Sequence, residues 1–199
     1  MGEQVTVITP VKIIAEVLSV ITVVWLIVSV AGEGWVVVRF LYFEDRTWTW
    51  GLWRTCNKLE EAFSVCIKEE WLTVCLVFSI MALILSLAAT VCGVLGMRDT
   101  ESRRNIFYTV AAGFLSVVAL LEFMVVVIFP VKFGEDIKKA EAVRRWDFDW
   151  AYGFAWGGLL FSIGAAVFFV IPKSCPSSKS ARGNGDYSKD FRESTRNDQ

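Results

Sequence analysis

Two cysteines ten residues apart, Cys56 and Cys66, are the first side chains in this chain whose type and spacing could do chemistry, and that chemistry is a disulfide. A bridge between them would close a short loop and stabilise it by about 3 kcal/mol in the chain-entropy picture. It requires an oxidising compartment; the alternative is a pair of reduced thiols in a cytosolic loop. The other three cysteines, Cys75, Cys92 and Cys175, fall in or beside apolar runs, and Cys92 and Cys175 lie where a juxtamembrane thiol could carry a palmitoyl group. Carboxylates offer less. Glu122 sits inside an apolar run, where an ionised side chain facing lipid costs at least about 2.5 kcal/mol, so it should face protein. It is read either as a proton or cation site or, preferably, as a structural carboxyl paired with a Ser, Thr or Trp N–H of a neighbouring helix. Glu16 lies one turn from Lys12, and an i, i+4 contact explains it without transport. Lys58, Glu60 and Glu61 could line an ion route as a charged ring does, although mixed signs over so few residues are also what a solvated loop shows.

Catalysis finds no parts. The chain has no histidine, which removes the commonest general base, the commonest zinc ligand and any Ser-His or Cys-His pair. No phosphate-cradling glycine loop and no nucleophile-elbow pattern occurs. No catalytic residue, metal ligand, cofactor or small-molecule substrate is expected. Twenty basic residues nearly cancel 21 acidic ones, which excludes nucleic-acid binding through a strongly basic surface.

The elements that must position these residues are membrane helices. Apolar residues make up 55% of the 199 positions and the mean hydropathy is +0.50, more than one soluble core needs. About 20 residues cross a hydrocarbon core of about 30 Å, and spans are expected at residues 11–30, 71–95, 106–128 and 151–171. The first is too long for a signal peptide and lacks a cleavage pattern, so it reads as a retained anchor. Residues 1–10 form an N-terminal segment. Residues 96–105 form a tight turn whose Arg98, Arg103 and Arg104 suit the cytoplasm. Lys and Arg divide equally between the two sides, so the lumen-forming cysteine pair decides the orientation: both termini cytoplasmic, residues 31–70 and 129–150 outside.

The first outer loop is patterned. Residues 35–42 are rich in β-branched and aromatic types, and residues 48–56 and 64–68 are further strand candidates, which together predict a small antiparallel sheet with the disulfide stapling the second strand to the third. Trp35, Trp50 and Trp53 read as interfacial anchors, compatible with such a sheet. In the fourth span Gly158, Ser162 and Ala166 make a small-residue stripe at spacing four, expected to pack within one bundle ahead of forming a homo-oligomer seam. Residues 172–199 are polar, lack apolar periodicity and are expected to be disordered. Tyr187, Ser188 and Ser194 are candidate phosphorylation sites there, as in any polar tail.

Trp35, then Trp50-Gly51-Leu52-Trp53, then Cys56 and Cys66 resemble the first extracellular signature of the claudin superfamily (PMP/EMP/claudin). The four-span layout and short cytoplasmic turn resemble it too, over roughly residues 5–171. Phe129-Pro130-Val131-Lys132-Phe133 and Trp150-Ala151-Tyr152-Gly153-Phe154-Ala155-Trp156-Gly157, with Val7 to Lys12 at the start, resemble the branch of claudin-like junction proteins that contains transmembrane protein 47 and PERP. A tetraspanin would place its cysteines in the second outer loop, which has none. The fold class implied is a membrane all-α four-helix bundle with a small extracellular antiparallel β-sheet. The resemblance implies a non-enzymatic protein of the plasma membrane at cell-cell junctions, adherens junctions among them, acting in cell adhesion and in the organisation of epithelia and their cytoskeleton. Its partners would be the lipid bilayer, neighbouring claudin-like or identical chains, and junctional adhesion and cytoskeletal adaptor proteins. The adhesive contacts are expected around Trp35, Phe40 and Leu41. Many claudins end in an apolar motif that enters a PDZ groove, whereas this chain ends Thr195 to Gln199 without an apolar last residue, so direct PDZ capture is not expected. Other members of the superfamily imply the alternatives of an auxiliary subunit of a channel or receptor, or a paracellular barrier or pore component.

Overall fold

A computed structural model describes residues 10–40, 47–53, 56–59, 63–66, 70–99, 101–139 and 143–171. Four helices carry the chain: α1 (Pro10–Ala31), α2 (Glu70–Arg98), α3 (Glu101–Lys139) and α4 (Trp150–Val170). Each is long and apolar enough to cross a membrane. In lipid the backbone must satisfy its own hydrogen bonds, and a helix does so within one segment whatever the propensity of its many Val and Ile residues. Pro10 opens α1 at the position where a missing N–H is harmless. Asp149 caps α4, its carboxylate accepting from Trp150 N at 2.8 Å. The α2–α3 turn is short, closed by Asp99 N donating to Leu95 O at 3.0 Å and by an Arg103–Asp99 ion pair at 3.4 Å. Helix α1 packs mainly on α4 and α2 mainly on α3, so the bundle has a sheet end and a turn end.

The third helix departs from expectation. Its span was expected to stop at residue 128 with a loop beyond, yet α3 runs through Pro130 to Lys139, 39 residues or about 58 Å at 1.5 Å per residue. Proline in a helix removes one N–H, which orphans the carbonyl four residues back. That carbonyl belongs to Val126, and Tyr152 Oη of α4 donates to it at 2.9 Å in a buried bond. Beyond the proline, Phe129, Phe133 and Ile137 are buried under the sheet, and that apolar burial sustains the extension.

The sheet also differs from the strands expected in the first loop alone. Three strands pair antiparallel in the order β2 (Thr47–Trp50), β1 (Val36–Phe40), β5 (Val143–Phe148), so the second loop supplies an edge. Val36 stands opposite Trp50 on one side and Phe148 on the other. A separate hairpin joins β3 (Cys56–Leu59) to β4 (Phe63–Cys66). The charged β5, with Arg145 and Asp147 exposed, is what its edge position permits.

Inside the bundle the small-residue stripe of α4 is covered by α1. Gly158 approaches Leu26, Ser162 is fully buried, and Gly157 lies so close to the Trp25 indole that no side chain fits there. Small residues allow this approach where lipid offers no hydrophobic push. Glu122 is 1% exposed, against Ser79 of α2 and beside Cys75, facing protein as an intramembrane carboxylate must. The Lys12–Glu16 contact expected from spacing does not form. Instead Lys12 Nζ donates to the carbonyls of Phe168 (3.2 Å), Phe169 (2.7 Å) and Ile171 (2.9 Å) at the end of α4, while the Glu16 carboxyl packs against Gly93. A cation at a helix C-terminus meets both orphan carbonyls and the negative end of the dipole, a stronger draw than one carboxylate a turn away.

If Tyr152 compensates for Pro130, the two are energetically coupled. Tyr152→Phe should destabilise the purified protein by about 1–3 kcal/mol, and the same change in a Pro130→Ala background should cost clearly less, because the helix then satisfies Val126 itself. Thermal unfolding of the four proteins of this cycle in nanodiscs measures the coupling; purely additive effects would contradict it.

Candidate functional site

The sheet end gathers most of the residues singled out by the sequence. Trp35 is 0% exposed, held by its backbone and its ring at once. Its N–H donates to Trp50 O at 2.8 Å, its carbonyl accepts from Asp149 N at 3.1 Å, and its indole Nε1 donates to Ser29 O of α1 at 2.8 Å. Its ring packs against Phe129 of α3 (centroids 4.8 Å) and Tyr152 of α4 (5.8 Å). One residue thus touches α1, β2, α3, the cap of α4 and α4 itself. The aromatic set continues outward as Trp50 on Phe133, Phe133 on Trp146, and Phe148 stacked on Tyr152 at 4.3 Å. Each such pair adds about 0.5–1.5 kcal/mol beyond the area it buries.

Trp50, Gly51 and Leu52 are buried with Trp35, so this part of the signature forms core and not the membrane anchor expected of Trp35 and Trp50. Burial also removes Trp35 from any contact with a neighbouring molecule. Trp53 alone of the three tryptophans keeps an interfacial character: it is 58% exposed, and its Nε1 donates to Val30 O of α1 at 2.6 Å. The last turn of a helix leaves four carbonyls without intrahelical partners. In α1, Val28 O accepts from Gly32 N at 2.9 Å, and the next two carbonyls, of Ser29 and Val30, accept from the two indoles. The spacing from Trp35 to Trp53 gives no hint of this shared task, because it depends on how β1 and β2 fold back over α1.

Cys56 and Cys66 are direct cross-strand partners at the open end of the β3–β4 hairpin, with Asn57 opposite Val65 and Lys58 opposite Ser64. Directly opposed antiparallel residues have Cα atoms about 4.5–5.5 Å apart, within the range a disulfide spans. Phe40 closes β1 opposite Val143. Leu41, Glu60, Glu61, Cys175 and the candidate phosphorylation sites of the tail lie outside the described residues. Cys92 is partly buried near the turn end of α2 and Cys75 is buried, both as free thiols. No cluster of three or more potential metal ligands occurs among the described residues.

Missed by sequence reasoning were β5 and the helical extension of α3. Trp71 of α2 reinforces the latter: its Nε1 donates to Asp136 Oδ2 at 2.9 Å, tying the start of α2 to the part of α3 beyond the proline. The Phe129, Phe133, Ile137 spacing was the available signal.

The two indole donors should differ in what else they contribute. Trp35→Ala leaves a large buried void and an orphan carbonyl and should destabilise by about 3–5 kcal/mol. Trp53→Phe, which keeps an exposed ring and loses only the donor, should cost about 1–3 kcal/mol. Unfolding temperatures of the two variants in nanodiscs test the order; equal effects would mean that Trp53 is core in the same sense as Trp35.

Residues 9–169 match the PMP-22/EMP/MP20/Claudin family. The chain is also 24% identical over 160 residues, 78% of this chain and 80% of the other, to a zebrafish (Danio rerio) protein named p53 apoptosis effector related to PMP-22. A match that takes in all four helices and the five strands between them places the chain as a member of the PMP-22/EMP/MP20/Claudin family.

Proposed function

We propose that this protein works at cell-cell junctions of the plasma membrane, in adhesion and in organising the junction and its cytoskeletal attachments, with both termini cytoplasmic and the sheet outside. The observation that carries this reading is the seating of the sheet. Strands from both loops are locked to the bundle through Trp35, so the sheet end is a stiff extension of the membrane helices, continued by the part of α3 beyond Pro130. Rigid surfaces lose less entropy on association, which suits repeated weak contacts between neighbours. Membership of a family that includes claudins, and similarity to a relative of PMP-22, point the same way.

The contact surface then excludes Trp35 and falls on β5, whose Arg145 and Asp147 are exposed, and on the two-stranded hairpin, which we propose is stapled by a Cys56–Cys66 disulfide. An oxidising exterior would supply that bridge, and its closure would fix the two strands in the register seen. We infer that neighbouring claudin-like or identical chains occupy these edges, and that junctional adaptors meet the cytoplasmic segments.

Two measurements test the reading. On intact cells a membrane-impermeant maleimide should fail to label Cys56 and Cys66 until an impermeant reductant is added, and the Cys56→Ser variant should expose one reactive thiol at Cys66; labelling without reduction would overturn the staple, and no labelling even after reduction would contradict the outward orientation. Imaged live in contacting epithelial cells beside an adherens marker and a barrier-junction marker, a tagged copy should concentrate at contacts with the adherens marker. Enrichment with the barrier marker would favour a paracellular role, and a uniform distribution would contradict a junctional one.

A further inference from the structure

Strand β5 is an edge of its sheet: among the described residues no strand lies on the side of it that faces away from β1. Which backbone groups point to that open side follows from the cap of α4. Asp149 N donates to Trp35 O, and Asp149 is extended (φ −116°, ψ 179°), so its N–H is aimed toward β1. Direction alternates along an extended chain. Asp147 and Arg145, opposite Val37 and Arg39, therefore also turn their N–H and C=O to β1, while Phe148 and Trp146 turn theirs to the open edge. Beyond Arg145 the register shifts, Phe40 facing Val143, so the regular edge is short. Side chains alternate by face as well: Trp146 and Phe148 pack on Phe133 and Tyr152, and Arg145 and Asp147 stand exposed on the other face. These two are joined to each other, Nε to Oδ2 at 2.9 Å and Nη2 to Oδ1 at 3.2 Å. That pairing leaves three of the five guanidinium N–H groups and a further lone pair on each carboxylate oxygen, so it need not break for either side chain to meet a second partner.

An edge with this order of charge and this parity of backbone groups complements itself in one arrangement. We propose that two copies of this chain join through β5, antiparallel about a two-fold axis at Trp146, from opposed membranes. About that axis the outward N–H and C=O of Trp146 meet those of Trp146 in the second copy, and Arg145 of each copy stands opposite Asp147 of the other. The facing charges fall at non-hydrogen-bonded positions, where side chains across an antiparallel pair come closest. The opposed membranes follow from the direction of the strand. Phe148 stacks on Tyr152 in the first turn of α4, whereas Trp146 packs on Phe133, in the part of α3 that continues beyond Pro130. β5 thus descends to the membrane along the α3 extension, and a strand antiparallel to it descends to a membrane on the far side. Copies in one membrane share the strand direction, which sets Arg145 level with Arg145 and Asp147 level with Asp147 and loses the complementarity. This inference deepens the adhesive reading and rests on its outward-facing sheet.

The test uses suspension cells that form no junctions of their own, expressing the full chain with one of two fluorescent tags, mixed and scored for two-colour clusters at matched surface levels. Wild-type populations should cluster with each other. Arg145→Asp makes the edge doubly acidic and Asp147→Arg makes it doubly basic; each should cluster with itself roughly tenfold less, and the two mixed should cluster about as well as wild type. The double exchange, Arg145→Asp with Asp147→Arg, keeps the pair within the strand. It should cluster with itself and not with wild type, a result that stands even if a single variant fails to reach the surface. A double exchange that clusters equally with itself and with wild type would overturn the pairing and leave the junctional reading untouched. Absence of wild-type clustering would also overturn it, and whether the protein still concentrates at epithelial contacts then decides the junctional reading separately.

Discussion

Helix carbonyls without partners, in surroundings with no water to satisfy them, are the constraint on which the rest of this structure depends. An orphan backbone group in a low-dielectric medium costs several kcal/mol, and at three places this chain meets such carbonyls with side-chain donors. The end of α1 takes two indole N–H groups, from Trp35 and Trp53. The end of α4 takes the Lys12 ammonium, from the first turn of α1. The carbonyl freed by Pro130 inside α3 takes the Tyr152 hydroxyl. All but the Trp35 bond, which spans six residues, join segments distant in sequence, so satisfying the backbone also fixes the tertiary structure.

Trp35 shows how far that coupling reaches. Its indole closes a helix, its backbone joins the sheet to β2 and to the cap of α4, and its ring completes the aromatic layer between sheet and bundle. A sheet attached in this way cannot tilt on the bundle without breaking a buried hydrogen bond and opening a void. The same logic explains why the strand from the second loop pairs with β1: Asp149 is at once a partner of Trp35 O and the cap of α4, so β5 arrives beside β1 because α4 starts there. Trp35 and the Trp50-Gly51-Leu52-Trp53 run are, in this chain, largely a set of instructions for seating the sheet.

The four helices and the first strand were legible because apolar length and β-branched runs report on solvent, and in lipid the solvent decides. What escaped was decided by tertiary contact. Pro130 reads as a helix end, and only the position of the Tyr152 hydroxyl shows why it is not. Lys12 and Glu16 read as an ion pair by spacing, yet the carbonyls of α4 compete for the ammonium and win. Residues 143–148 carry too many charges to look like a strand; an edge position makes them acceptable. The three tryptophans were read alike as interfacial anchors, although two are core and one is exposed, a difference no single-residue scale contains.

The most direct test of this account replaces one atom. Substituting Trp35 by its benzothiophene analogue keeps the shape of the ring and removes the N–H that reaches Ser29 O. If that donor seats the sheet, amide hydrogen exchange in nanodiscs should accelerate together in β1 and in the last turn of α1, by about tenfold for each 1.4 kcal/mol lost. Exchange unchanged in both segments, or accelerated in one without the other, would contradict the claim that a single side-chain bond holds the sheet to the helix.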